Sequence, residues 1–326
     1  MRRIIIFMFI LLLAGIFSCA QTNKSNKNFT VQNGLFICRL NDCIIYSNTE
    51  HEDEYPLYNL YSLDPITNNK RLIDSLVTLN CWIKTSDSTL VYSKSDKLYL
   101  WNSNTKAKTP FPISYLFVKI IGIGFNRDLN YLILFDLDKK KQALTLTILD
   151  KFNYIKFKQM IEFNEIEMEG ILPKIEAINN YFVFLIQDKL YMIDLSKKNP
   201  DFNIISDKCD GFALFEDKGI IFYKFISDEK TNGYIIYHDG LHTNIIDNLL
   251  NEKIFNCGRS DLITAKIMGK FVPIYVICDS PYIFSESKWE FLQNIVIYED
   301  EKLIVKIPYY DGKVNKDSFE WYLKGL

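Results

Sequence analysis

Short apolar runs alternate with polar turns along most of this chain, and the runs recur in pairs. In the clearest case, residues 90–106 line up with residues 181–197. Each segment contains an apolar run, a polar turn that includes Asp-Lys, a second run that opens with Leu-Tyr, and an Asn or Asp before the next turn. Because apolar and polar positions alternate with a period of two, each segment is predicted to be a pair of half-buried β-strands.

Looser copies of this pair begin at residues 43, 131, 220 and 274, which makes six copies at intervals of 39 to 54 residues. The sequence around a pair leaves room for two more strands, as at residues 79–84 and 106–111 around the second copy. Four short antiparallel strands in every repeat of roughly 40 to 50 residues are typical of β-propeller blades. No window shows a sustained helical period with caps at both ends, so the chain is expected to be all-β.

The pattern therefore predicts a six-bladed β-propeller of four-stranded antiparallel blades over residues 34–308, with residues 309–326 as a C-terminal closing segment. A seven-bladed propeller is the main alternative, and a β-sandwich is the other. The Leu-Tyr-x-x-Asp/Asn pattern is similar to the repeat of TolB-like six-bladed propellers. In place of the Pro-Asp-Gly turn of that family, residues 86–88 and 179–180 offer Asp and Asn, which accept the same left-handed backbone.

The N-terminus has the pattern of an export signal. Two arginines precede an apolar stretch at residues 4–16 that is too short to cross a bilayer as a helix. Ile16, Ser18 and Cys19 then follow with the spacing of the lipobox that bacterial lipoproteins carry, and the segment resembles that motif. The resemblance implies removal of residues 1–18 and attachment of acyl chains, palmitate among them, at Cys19. Several acyl chains together give a stable membrane anchor.

Residues 19–33 begin with a polar run and are expected to be a flexible tether. Ala20 is not the acidic residue that retains many lipoproteins at the inner membrane. The predicted location is therefore the bacterial cell envelope, as an outer-membrane lipoprotein that faces the periplasm or the exterior. The alternative is cleavage before Gln21 by an ordinary signal peptidase, because residues 18–20 also fit the small-x-small rule.

The nearly neutral net charge gives no reason to expect a polyanionic partner. The chain has 38 Lys and Arg residues against 40 Asp and Glu residues, a formal net charge of −2. Nucleic acids and anionic membrane surfaces usually select basic proteins, so no nucleic acid is expected as a partner. The expected partners are the membrane, through the acyl chains on Cys19, and an envelope protein or glycan on the propeller.

Loop lengths indicate which face of the propeller binds. The turns between first and second strands are short, whereas the loops between second and third strands and the links between blades are long and variable. Long loops on a rigid scaffold often carry binding residues, so this loop-rich face is the predicted interaction face. Its longest loop, residues 279–293, carries Tyr282, Phe284, Trp289 and Phe291 as candidate contacts for a sugar or a protein. The alternative is that these aromatic side chains fold back over the last blade.

Acidic residues on the same face raise the question of a calcium site. His51, a further candidate contact residue, precedes three acidic residues, and four glutamates lie within residues 162–169. Clustered carboxylate oxygens suit Ca²⁺, but residues 162–169 also fit a half-exposed strand. Apart from this calcium alternative, no cofactor is predicted. No histidine spacing resembles a zinc site.

Six cysteines remain besides Cys19. Cys38 and Cys43 flank Arg-Leu-Asn-Asp, so a hairpin there would place them opposite each other, where a cross-strand disulfide could form. Cys257 and Cys278 could face each other in the same way. Buried free thiols are the alternative for both pairs.

The motifs that would mark an enzyme are missing from the sequence. It has no G-x-S-x-G elbow, no P-loop and no G-x-G-x-x-G. The predicted function is therefore that of a lipid-anchored binding or scaffolding module that acts through the loop-rich face. A glycan-active enzyme is the alternative, because the two carboxylates of such a site would lie far apart in the sequence of a propeller.

Overall fold

The computed structural model of the protein describes most of the chain from residue 29 onward. The described residues are 29–32, 34–49, 58–78, 81–94, 96–113, 116–162, 173–200, 202–225, 233–247, 260–277, 280–285, 288–307, 309–310, 313–314 and 319–324. These residues form strands, turns and extended segments, with no helix among them. Within the same ranges, no helical segment has the length and hydrophobicity needed to span a membrane. Cys19 lies outside the described residues.

Strand β1 (Phe29–Val31) is followed by five sheets of four antiparallel strands, here called blades 1 to 5. Blade 1 contains β2 (Gly34–Leu40), β3 (Cys43–Thr49), β4 (Tyr58–Leu63) and β5 (Lys70–Val77). Blade 2 contains β6 (Trp82–Lys84), β7 (Thr89–Lys94), β8 (Lys97–Asn102) and β9 (Ala107–Pro110). Blade 3 contains β10 (Ile120–Asn126), β11 (Tyr131–Asp138), β12 (Ala143–Leu149) and β13 (Ile155–Glu162). Blade 4 contains β14 (Lys174–Ile178), β15 (Tyr181–Ile186), β16 (Lys189–Asp194) and β17 (Phe202–Ser206). Blade 5 contains β18 (Cys209–Phe215), β19 (Gly219–Phe225), β20 (Gly233–His238) and β21 (Thr243–Asp247).

The next sheet has eight strands and is called the double blade. Its first half contains β22 (Ser260–Ile267), β23 (Lys270–Ile277), β24 (Ser280–Ser285) and β25 (Lys288–Phe291). Its second half begins with β26 (Ile295–Glu299) and β27 (Leu303–Ile307). After a separate hairpin of β28 (Tyr309–Tyr310) and β29 (Lys313–Val314), it continues with β30 (Phe319–Leu323), which pairs with β1. The two halves join where β22 and β26 pair in parallel, through Lys266 with Tyr298 and Ile267 with Glu299.

The predicted all-β, six-bladed propeller is confirmed when blades are counted as sheets. Five blades have the predicted four strands, and the sixth is the double blade. Counted as four-stranded units, the ring has seven, as in the alternative prediction. In the sixth copy of the repeat, the apolar runs that begin at residues 274 and 295 are predicted to be paired strands. Instead β23 pairs with β24, and the run at residue 295 is β26, the first strand of the second half.

Left-handed asparagines close several of the predicted turns. Asn41, Asn130 and Asn179 have φ angles of 47°, 54° and 49°, each in the turn between the first and second strands of a blade. Asparagine tolerates this backbone better than most residues because its short polar side chain can hydrogen-bond locally. Because the asparagines adopt this backbone, the chain can reverse within a few residues, and the turns are as short as the sequence predicts.

Apolar side chains pack between neighbouring sheets rather than in one central core. Phe135 of blade 3 and Phe184 of blade 4, for example, have ring centroids 5.1 Å apart. One cluster combines Tyr46 of blade 1 with Ile263 and Trp321 from the two halves of the double blade. Another cluster joins blade 5 to the first half. The double blade thus lies between blade 5 and blade 1, and the ring is closed.

Closure of the ring involves both ends of the described chain. Phe29 and Trp321 are paired across β1 and β30, and their rings stack with centroids 4.4 Å apart. Trp321 is fully buried. Residues 29–31, predicted to belong to the tether, are therefore the outer strand of the last sheet, and the predicted closing segment, residues 309–326, contributes β30.

Replacing Trp321 by alanine is expected to destabilise the protein by about 3–5 kcal/mol, because loss of a large buried aromatic side chain leaves a cavity. Urea unfolding followed by circular dichroism measures this change. Phe152→Ala is the matched control, since Phe152 is 67% exposed, and it should change the free energy of unfolding by less than about 0.5 kcal/mol. Equal effects of the two substitutions would contradict the role of the β1–β30 pair in closure.

Candidate functional site

The inner strands of the ring surround a central channel. It encloses a cavity of about 670 Å³, within the range of about 300–1,000 Å³ that small-molecule sites occupy. Strands β2, β6, β10, β14, β22 and β26 all contribute to its wall. Half-buried apolar side chains form much of that wall, among them Ile37, Ile83, Phe125, Ile175 and Ile297. The channel can therefore hold the apolar body of a ligand.

One end of the channel, here called the mouth, opens among the turns between first and second strands. Its residues come from five such turns and include Ser86, Arg127, Asn179, Asp217 and Gly269. This is the face with short turns, whereas the predicted interaction face is the loop-rich one. Much of the long loops lies outside the described residues, so binding at the loop-rich face stays a prediction.

Polar contacts between neighbouring blades hold the mouth in shape. Asn126 of blade 3 donates from Nδ2 to the carbonyl oxygen of Asn179 in blade 4 at 2.7 Å. Asn179 in turn donates from Nδ2 to the carbonyl oxygen of Asp217 in blade 5 at 2.9 Å. The amide of Glu216 donates to the carbonyl of Phe271 in the double blade at 2.7 Å. Each bond fixes one turn against the next, so this side of the mouth is preformed.

Arg39 of blade 1 contacts both the double blade and blade 2, its two neighbours in the ring. Its guanidinium forms an ion pair with Asp300 of the double blade, and its carbonyl oxygen accepts a hydrogen bond of 3.0 Å from Lys84 Nζ of blade 2. Tyr298 donates from Oη to Asp300 Oδ2 at 2.9 Å. Burial, together with the hydrogen bond to Asp300, raises the pKa of Tyr298 to about 12. Arg39 is therefore already paired, and its contacts are structural.

Three cations converge at the mouth around one carboxylate, Asp87 of blade 2. Lys84 Nζ lies 3.0 Å from Asp87 Oδ1, and an Arg127 nitrogen from blade 3 lies 3.6 Å from the same oxygen. Lys266, on β22 of the double blade, lines the same channel as Lys84 and Arg127. Burial, and then repulsion by the other two cations, lowers the pKa of Lys266. We call Lys84, Arg127 and Lys266 the mouth cluster.

Three further acidic groups line the channel. Asp128 and Asp217 belong to turns of blades 3 and 5. Glu176 is on β14, where burial raises the pKa of its carboxyl despite the opposing charge of Lys174. Thr264 of the double blade hydrogen-bonds to the same carboxyl. Glu176 is therefore an uncharged hydrogen-bonding group over a wider pH range than an exposed glutamate.

Comparisons with known proteins identify the architecture. No family model and no curated protein matches the chain. The β-propeller domain of the Trilobed protease from Pyrococcus furiosus has a TM-score of 0.53 at 10% identity, with 85% of this chain and 91% of that chain covered. An oligogalacturonate lyase in complex with manganese has a TM-score of 0.57 at 10% identity, with 91% and 90% covered. The chain has a β-propeller fold. At such low identity the likeness concerns the fold alone.

TolB from Acinetobacter baumannii is similar to a smaller degree. Its TM-score is 0.44 at 12% identity, and the alignment covers 81% of this chain and 62% of that chain. A likeness this distant supports no argument about the role of the present propeller. The resemblance to TolB-like repeats therefore remains one of sequence pattern within a shared class of fold.

The segment at residues 279–293 is not the long loop that the sequence predicted. Its residues form β24 and β25, the outer strands of the first half of the double blade. Phe284 is 3% exposed and lies against Trp289, with ring centroids 5.1 Å apart. Tyr282 is half-buried opposite Phe291, which is 60% exposed. The loop prediction is wrong. The alternative, in which the aromatics fold back, describes Tyr282, Phe284 and Trp289, which pack between blade 5 and the double blade, whereas Phe291 is exposed.

The calcium and histidine predictions concern parts of the chain outside the described residues. His51, the acidic residues 52–54 and residues 163–170 all lie there. Within the described ranges, no group of three or more His, Cys, Asp or Glu side chains is placed to hold a metal ion. Calcium binding and a contact role for His51 stay predictions.

Cys38 and Cys43 are free thiols, so the disulfide prediction is wrong for this pair. Cys43 lies opposite Leu40, and a register shift next to Cys38 places Cys38 opposite Ile45. The cysteines are therefore diagonal neighbours, and such positions are roughly 7–8 Å apart, which is too far for a disulfide. Burial raises the pKa of Cys38 to about 12. Cys257 and Cys278 lie outside the described residues.

Both thiols are expected to be reduced in the purified protein. Unfolding in denaturant without a reductant, followed by alkylation and peptide mass spectrometry, should give one alkyl group on Cys38 and one on Cys43. In the folded protein at pH 8, Cys38 should react at least about tenfold more slowly than free cysteine, because the thiolate is the reactive form. A linked peptide that separates only after reduction would contradict this assignment.

Proposed function

We propose that the protein is a lipid-anchored binding protein of the bacterial cell envelope, and that its propeller binds a small ligand in the central channel. The observation that carries the proposal is the channel itself, a cavity of about 670 Å³ with apolar walls and charged groups at one end. Pockets of this size with few, well-placed polar groups are typical of ligand sites. The inter-blade bonds around the mouth support it, because a preformed site loses less conformational entropy when a ligand binds.

The anchor is supported by the sequence. Ile16, Ser18 and Cys19 keep the spacing of a lipobox after a short basic and apolar segment. With acyl chains at Cys19, the protein would be attached to the outer membrane, facing the periplasm or the exterior. An envelope protein or glycan that contacts the loop-rich face remains part of the proposal.

Binding is a better account of the channel than glycan cleavage. A glycosidase needs two carboxyl groups that face each other across the bond to be cleaved. Glu176, with its raised pKa, would suit the acid of such a pair, but Thr264 and Lys174 are its interaction partners. Asp87 at the mouth is paired with Lys84 and Arg127. Because both of these carboxyl groups are already engaged by neighbouring side chains, we propose a ligand that is held rather than cleaved.

The anchor can be tested by replacing Cys19. Cys19→Ala is expected to abolish acylation and removal of the signal, since the thiol carries the diacylglycerol. Mass spectrometry of the purified protein and detergent phase partition of cell extracts measure both changes. Cys81→Ala is the matched control, since Cys81 is buried in the propeller, and it should leave the acylated mass shift and the partition unchanged. A wild-type chain that starts at Gln21 without acyl chains would contradict the anchor.

The channel can be tested with a neutral aromatic probe, 1-naphthol, by isothermal titration calorimetry. The protein is used with its anchor, in phosphatidylcholine nanodiscs, and empty nanodiscs supply the blank. Ala177→Phe places a large side chain on the channel wall and is expected to weaken 1-naphthol binding at least about tenfold, because it fills the space that the probe needs. Ala107→Phe, on the exposed outer strand β9, is the matched control. Equal affinities in the two variants would rule out the channel as the site.

A further inference from the structure

The mouth cluster brings three cationic side chains to one end of the channel. Lys84, Arg127 and Lys266 share Asp87 as the carboxylate that acts on all three. Arg39 is not counted in the cluster, because its guanidinium forms an ion pair with Asp300. Asp87 is thus the one carboxylate that these three cations share among the described ion pairs and charge contacts.

The cations of the cluster come from three different blades, and one of these is not next to the other two. Lys84 and Arg127 extend from the adjacent blades 2 and 3, whereas Lys266 is on the inner strand of the double blade. The double blade packs against blades 5 and 1, so Lys266 reaches the other two cations across the mouth and not along a shared blade interface. Repulsion between like charges opposes this arrangement unless an anion lies between them.

The space below the cluster is apolar. Ile83 immediately precedes Lys84, Phe125 lies two residues before Arg127, and both line the channel. Ala265 and Phe271 of the double blade line it near Lys266. A ligand that contacts the cluster with an anionic group therefore places the rest of its surface against apolar side chains.

We propose that the mouth cluster binds the oxyanion of a small amphiphilic ligand, a phosphate monoester or a carboxylate, whose apolar body occupies the channel. This inference rests on the proposed function, because it names the ligand class of the same channel. Arg127 suits an oxyanion because its planar guanidinium can donate two hydrogen bonds at once, and Lys84 and Lys266 add compact charges.

The test compares four probes that separate the head from the body of such a ligand. They are 1-naphthyl phosphate, 1-naphthoate, 1-naphthol and inorganic phosphate, titrated into the anchored protein in phosphatidylcholine nanodiscs. We expect 1-naphthyl phosphate or 1-naphthoate to bind at least about tenfold more tightly than 1-naphthol and inorganic phosphate, because one charge-assisted hydrogen bond is worth about that factor. The stronger of the two anionic probes identifies the head group.

Variants of the cluster then separate a direct contact from a general charge effect. Lys266→Gln and Arg127→Gln are each expected to weaken binding of the preferred anionic probe about tenfold while leaving 1-naphthol binding within about twofold. Lys302→Gln is the matched control, because it removes an exposed charge from the same face outside the channel wall. Asp87→Asn is expected to strengthen anion binding several-fold, a change that a merely structural role for Asp87 would not produce.

The outcomes distinguish this inference from the proposed function. If 1-naphthol binds and Ala177→Phe prevents it, but Lys266→Gln and Arg127→Gln leave the affinity for the anionic probes unchanged, the mouth cluster is not an anion site and the channel still binds. If none of the four probes binds, both proposals fall. If inorganic phosphate binds as tightly as 1-naphthyl phosphate, the apolar part of the probe contributes nothing to binding, and the proposal of an amphiphilic ligand is overturned.

Discussion

The structure depends on the pairing of its first described strand with its last. Blades of a propeller have apolar surfaces on both sides, so an open ring would leave two of these surfaces in water. Here β1 completes the double blade by pairing with β30, and Phe29 stacks on Trp321 within it. The cluster that contains Trp321 also includes Tyr46 of blade 1. Closure therefore joins strand pairing and apolar packing at one place in the ring.

The central channel is a consequence of that closure. A closed ring brings the inner strands of all blades around one axis, and their ends bring together side chains that are distant in the sequence. Lys84, Arg127 and Lys266 converge at the mouth in this way, and each stands at or next to the end of an inner strand. The polar bonds from Asn126 to Asn179 and onward hold neighbouring turns in a fixed arrangement. The channel is thus an apolar cavity with a fixed, charged entrance.

The sequence was sufficient to predict the strands and most of the blades, because a period of two and a repeat of about 46 residues are local signals. It failed at the double blade. The segment with Phe284 and Trp289 contains three Ser, two Glu and Pro281, so it looked like a loop, although Phe284 is a core residue and Trp289 packs against it. The mouth cluster was missed because its members lie on three repeats, and no local spacing connects Lys84 with Lys266. A rule that inspects charged residues at the ends of first strands would have found Lys84 and Arg127.

The position of β1 bears on how the propeller would sit beside a membrane. β1 is the outermost strand of the double blade, on the rim of the ring. With an anchor at Cys19, ten residue steps lead to Phe29, and at about 3.6 Å per residue they span roughly 36 Å at most. The propeller would be attached to the membrane through its rim by a short segment. The attachment itself would block neither opening of the channel. With such an anchor, a force transmitted from the membrane would reach the propeller first at β1, so the β1–β30 pairing that closes the ring would also resist that force.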